Sequence, residues 1–104
     1  ATADASQPTV NRLLLSARIV EASALRHTPA GLDALDMRLE HESLATQEGL
    51  QRLVTVQISA VAIGEMARRL SGQPLGTQGV FQGFLTQRRG GKTVVLQIQN
   101  FQPH

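Results

Sequence analysis

The sequence predicts a small all-β barrel of five strands with one α-helix between the third and the fourth, and three observations lead there. Apolar and polar residues alternate with period two in five separate runs. The spacing changes to a helical one once, directly after the third run. A chain of 104 residues holds one modest core and not two.

Ala1 to Pro8 are small and polar and end in proline, so residues 1–10 are read as a flexible tail and 11–104 as the domain. In Asn11–Val20, Leu13, Leu15, Ala17 and Ile19 share one face, and Arg12, Leu14, Ser16 and Arg18 share the other. This is a first strand with a basic stripe. Arg26-His-Thr-Pro-Ala-Gly31 has turn chemistry, and after it Leu35, Met37, Leu39 and His41 alternate with Asp36, Arg38 and Glu40, a second strand. Glu42–Gln51 is polar, contains Gly49 and is read as a loop. Val54, Val56, Ile58 and Ala60 then alternate with Leu53, Thr55, Gln57 and Ser59, a third strand.

From Val61 to Leu70, the residues Ile63, Met66, Ala67 and Leu70 fall at i, i+3, i+4 and i+7, one face of a helix that Gly72 and Pro74 stop. The last third is a hairpin. Gly79–Gln87 and Thr93–Phe101 alternate on either side of Arg88-Arg-Gly-Gly-Lys92. Parity sets Phe81 toward the core with Gly79, Gly83 and Leu85, and Phe84 outside with Val80, Gln82 and Thr86. Three strands, a helix and two strands is the element order of the OB-fold, a Greek-key barrel whose helix plugs one end.

The composition, 41% hydrophobic and 17% charged, is that of a globular chain. The formal charge is only +2, but nine of the ten cations are Arg, whose planar fork suits phosphate better than an ammonium does. Arg88, Arg89 and Lys92 crowd a five-residue tip although like charges repel and the turn needs only its glycines, which points outward to an anionic partner. The bland alternative is a solvated tip that protects a strand edge. Arg12, Arg18 and Arg38 either extend a basic track or pair with Asp36 and Glu40, and Arg68 and Arg69 suit the last turn of the helix.

Catalysis has no support. His27, His41 and His104 are scattered, no His-x-x-x-His spacing occurs, carboxylates fall singly, and Ser59 and Ser71 lack a motif, so neither enzyme, cofactor nor metal is expected. His41 keeps the inward parity of its strand and reads as a hydrogen-bonded rim residue. With no Cys, nothing like a signal peptide and no apolar run near the roughly 20 residues that span a bilayer, the chain reads as cytoplasmic and free of membrane.

Asn11-Arg-Leu-Leu-Leu-Ser16, Arg26-His-Thr-Pro-Ala-Gly31, Leu39-Glu-His41 and Gln82-Gly-Phe84, in this order, resemble the bacterial single-stranded-DNA-binding protein family, in its primosomal branch. The resemblance implies an OB-fold homodimer that binds single-stranded DNA with little sequence preference. It further implies an accessory role in replication restart that bridges the primosomal helicase, DNA and a helicase-loading factor. By the same resemblance Arg26 and Arg52 fall at DNA-contacting positions, Leu50 stands where an aromatic is frequent, and Arg12, Leu14, Ser16 and Arg18 of the first strand form the dimer interface.

One departure bears on mechanism. Single-strand binders stack bases on aromatic rings, and this chain has no Trp, no Tyr and three Phe. Phe84 is the one platform parity offers, and it serves a dimer contact equally well. The competing expectation is therefore a protein-docking OB module with weak nucleic-acid affinity, and a backbone-tracking groove also admits RNA.

Overall fold

A computed structural model of the chain describes residues 9–88 and 90–104. In order come β1 (Leu13–Ala22), β2 (Arg26–His27), β3 (Asp33–Gln47), β4 (Leu50–Ile63), α1 (Glu65–Ser71), β5 (Gln78–Gln87) and β6 (Val94–Pro103). β2 is a two-residue rung laid against the start of β3. The other five strands form the barrel expected from the sequence, running β1-β5-β6-β4-β3 and closing where β1 pairs with β3.

Four of those five seams are antiparallel; β4 and β6 run parallel over Ser59–Val61. β1 serves two neighbours because it bends. Leu13–Arg18 pair with β5, Arg18–Ala22 pair with β3, and a register shift between Ile19 and Glu21 supplies the twist. Inward side chains of every barrel strand fill the interior, among them Ile19, Leu35, Leu39, Phe81, Leu96 and Phe101, and α1 adds Ala67 and Leu70 at the open end. The rings of Phe81 and Phe101 lie 4.8 Å apart. Beside them β5 and β6 approach so closely at Gly79 and Gly83 that no side chain fits.

Two expectations are corrected. The helix spans Glu65–Ser71 and not Val61–Leu70. Val61, Ala62 and Ile63 continue β4, paired with Asp36, Leu35 and Ala34, and Val61 is also paired with Gln97 of β6. β3 pairs with the backbone throughout, β6 joins on the other side as far as Val61, and the β-branched Val61 and Ile63 suit the pleat. Gly64, at φ 72° and ψ −135°, then makes a turn open to glycine, after which Met66, Ala67 and Leu70 keep the inward face expected of them.

The second correction concerns Glu42–Gln51, which is no loop. β3 runs on to Gln47 and β4 starts at Leu50, joined through Glu48 and Gly49, whose φ values of 54° and 73° match the twist of a two-residue hairpin. The pairs from Glu42↔Thr55 to Gln47↔Leu50 form a two-stranded arm standing off the barrel. The arm has little core to face, so alternation fades from its sequence while the ladder persists.

Candidate nucleic-acid interface

β2 and the base of the β5–β6 hairpin meet at the outer face of β3. Asp36 points outward there, its backbone tied to Ser23 by the bonds Ser23 N to Asp36 O (2.9 Å) and Asp36 N to Ser23 Oγ (3.3 Å). Arg26 donates to the carboxylate through Nε (2.7 Å) and Nη2 (3.1 Å), a fork held on two oxygens. From the hairpin, Arg88 brings Nη1 to 3.9 Å from the same carboxylate. Hydrogen bonding from Arg26 holds Asp36 below the ordinary carboxylate range and raises Arg26 in turn. The carboxylate is therefore charged at neutral pH, and the trio carries a net single positive charge. A groove of about 290 Å³ runs alongside, lined by Glu21, Ser23, Asp36, Arg38, Ser59 and Arg88.

The structure thus brings together two of the expected site residues, Arg26 and Arg88. Lys92 belongs to the same hairpin and is exposed, beyond a turn closed by Gly91 N to Arg88 O (3.0 Å) and Arg88 N to Thr93 O (3.1 Å). Arg89 lies outside the described residues. Arg52 and Leu50 are elsewhere, on the arm. Arg52 pairs across from Ala45, nine residues along β3 from Asp36, or about 30 Å at the rise of a strand. Leu50 is 70% exposed at the tip. Arg52 has the inward parity of β4 whereas Asp36 has the outward parity of β3, so the two ends of the expected track do not share one flat face.

Most other arginines are engaged. Arg18 pairs with Glu40, Arg38 with Glu21 at 3.7 Å, and Arg68 with Asp33 at 2.8 Å, while Arg69 lies 5.7 Å from the centre of the Phe101 ring. Among the described residues Arg12, Arg52, Arg69 and Lys92 pair with no carboxylate. The outer face of β1 carries Leu14, Ser16 and Arg18, with Arg12 just before the strand, all exposed, and Leu14 is cross-strand from Gln82. Phe84 is half-buried on that same sheet face, three strands from Asp36 but in the same register row, through Gln97 and Val61. Phe81 and Phe101 are fully buried, so neither offers a ring to a base.

Two residues escape sequence reasoning. Asp36 stands there only as a possible partner of Arg12, Arg18 or Arg38, because nothing local shows that β2 and a hairpin far along the chain converge on it. Asn11 donates Nδ2 to Leu85 O (2.7 Å) and accepts from Leu85 N at Oδ1 (2.9 Å), a side chain acting as one more rung of the β1–β5 ladder. Its signal is an amide residue two positions before a strand. His41 is a rim residue, with Nδ1 2.6 Å from Ser16 O and Nε2 2.7 Å from Ser43 Oγ. Among the described residues no cluster of metal-ligating side chains forms, and no helix is long and apolar enough to cross a membrane.

Barrel topology with one helix after the third barrel strand defines an OB-fold module. The family model described as "another single-strand binding protein family" matches residues 11–100. The replication restart protein PriB of Bordetella pertussis is 51% identical over 91 residues, covering 86% of this chain and 85% of its own. That of Neisseria meningitidis serogroup B is 37% identical over 98 residues, covering 90% and 94%. The solved PriB structure from Ralstonia solanacearum superposes with a TM-score of 0.86 at 32% identity, over 92% of this chain and 99% of that one. The chain belongs to the PriB family of replication restart proteins.

Proposed function

We propose that this protein binds single-stranded DNA and serves in the cytoplasm as an accessory in replication restart, where it helps to assemble the primosome. The observation that carries the DNA site is the convergence of Arg26 and Arg88 at one carboxylate, with Lys92 in the same hairpin. Phosphates engage these cations first. Arg52 and Leu50 on the arm give a second contact about 30 Å away, so that one strand of DNA crosses the protein from hairpin to arm. Arg89 joins the tip contacts, and Phe84 is the remaining ring for a base. Two copies associate through the outer face and free edge of β1, at Arg12, Leu14, Ser16 and Arg18, and the primosomal helicase and a helicase-loading factor dock on the dimer.

The test is fluorescence anisotropy of labelled oligo-dT across a salt series. Each phosphate neutralised on a single strand contributes about 0.7 to the slope of log K against log salt. Arg26→Ala with Arg88→Ala is expected to lower that slope by about 1.4 and weaken binding at every salt. An unchanged slope removes the site.

A second reading has an observation of its own. With Phe81 and Phe101 buried and Phe84 half-buried, the protein offers almost no aromatic platform for bases. That favours a protein-docking OB module with weak DNA affinity. Capture of the primosomal helicase that survives nuclease treatment, together with negligible oligo-dT binding at low salt, supports this reading over the first.

A further inference from the structure

Arg26 has five N–H donors, and Asp36 occupies two of them, those on the Nε edge. The other three, on Nη1 and the far side of Nη2, are free of that contact, and half of the side chain is open to solvent. Arg26 can therefore take a phosphate without leaving the carboxylate. Arg88 lies too far from Asp36 for a hydrogen bond and keeps its donors, although the carboxylate attracts it. Without an anion between them, two guanidiniums drawn to one point would repel and separate. Asp36 is well placed to hold them. It sits in the long strand β3, its backbone is bonded to Ser23, and its side chain is mostly shielded from water.

We propose that Asp36 is a positioning residue for the DNA site, a carboxylate that aims the Arg26 fork and holds Arg88 beside it so that the two receive neighbouring phosphate oxygens. The inference rests on the DNA-binding reading above. It has an unusual consequence, because removing a negative charge from a site for a polyanion ought to strengthen binding by simple Coulomb attraction. If Asp36 positions the arginines, its removal weakens binding. The loss is that of ordering a rotamer-rich side chain at the moment of association, which corresponds to about three- to tenfold in Kd.

The experiment measures oligo-dT affinity at matched salt for the full chain and for Asp36→Asn, Arg26→Ala, Arg88→Ala, Arg26→Lys, Arg26→Ala/Arg88→Ala and the triple variant Asp36→Asn/Arg26→Ala/Arg88→Ala. Asp36→Asn is expected to bind about three- to tenfold more weakly than the parent. In the Arg26→Ala/Arg88→Ala background the same change is expected to reverse sign and strengthen binding, since neither guanidinium is left to position and only the charge effect remains. A merely structural role for Asp36 would not reverse. Arg26→Lys keeps the charge without the fork, so it is expected to lose affinity while the salt slope stays the same; this variant decides the matter if Asp36→Asn proves unfolded by melting. Equal or tighter binding by Asp36→Asn, or parental affinity in Arg26→Lys, overturns the positioning role alone when Arg26→Ala and Arg88→Ala still weaken binding. Parental affinity in both alanine variants removes the DNA site itself and the inference with it.

Discussion

Gly83→Ala tests how the site-bearing hairpin is held to the barrel. A Cβ at Gly83 would lie 2.8 Å from the carbonyl carbon of Gln97, 3.2 Å from Cα of Ile98, and closer still to the Gln97 oxygen, against 3.4–4 Å for ordinary contact. All three atoms are backbone, so no side chain can swing aside. β6 would have to retreat by at least about 0.6 Å to relieve the carbon alone, which stretches neighbouring ladder bonds from about 2.9 Å to 3.5 Å and beyond useful length. Overpacking of this kind costs about 1–3 kcal/mol, and weakening two ladder bonds adds about 1–2 kcal/mol. The sum is about 3 kcal/mol, which for a domain of this size lowers Tm by about 12 °C. Differential scanning calorimetry of parent and variant reads this directly. A variant melting within about 3 °C of the parent would mean that the two strands are not pressed together as described, since one kcal/mol alone moves Tm by about 4 °C.

Three further outcomes are expected. Asn11→Ala removes both bonds to Leu85 at little apolar cost, so stability should fall by about 1 kcal/mol in urea unfolding and the Leu85 amide should exchange faster with deuterium; an unaltered Leu85 amide contradicts the extra rung. Asp36 is held below its ordinary value of 3.8, chiefly by the Arg26 hydrogen bond, so its stabilising contribution is complete above that value and disappears as pH falls through the depressed one. Asp36→Asn should therefore lower Tm at neutral pH and narrow the gap between neutral pH and about pH 2.5, whereas parallel Tm curves over that range are the contrary result. Leu14→Asp places a charge at the centre of the proposed subunit contact, and sedimentation velocity should show monomer where the parent shows dimer, while an unchanged dimer moves the contact off β1.

How far the sequence carries depends on what each residue faces. The barrel strands were legible because Leu13 to Ile19, Leu35 to Leu39 and Gly79 to Phe84 each turn alternate residues into a core. The arm was not, since from Glu42 to Gln51 the two strands have little to bury and their pairing leaves no apolar period. At the helix start, Ile63 fits both the helical spacing and the β-branched preference of a strand, and only the pairing offered by β3 decides between them. The cations at the hairpin tip could be seen because turn chemistry does not require them. The meeting of Arg88 with Arg26 could not, because it depends on Asp36, and a contact between distant loops leaves no local trace.

The bond from His41 to the Ser16 carbonyl has a consequence for what can be added along β1. In a strand the N–H and C=O groups of one residue point to the same side, and those of the residues two away point there too. The side away from β5 is thus offered by Arg12, Leu14 and Ser16, until pairing with β3 begins at Arg18. With the Ser16 carbonyl already occupied by an imidazole, a chain joining this edge meets both groups of Arg12 and Leu14 but only the amide of Ser16. The histidine is a terminator built into the edge. It limits how far a neighbouring strand can run and so fixes the register at which it must stop.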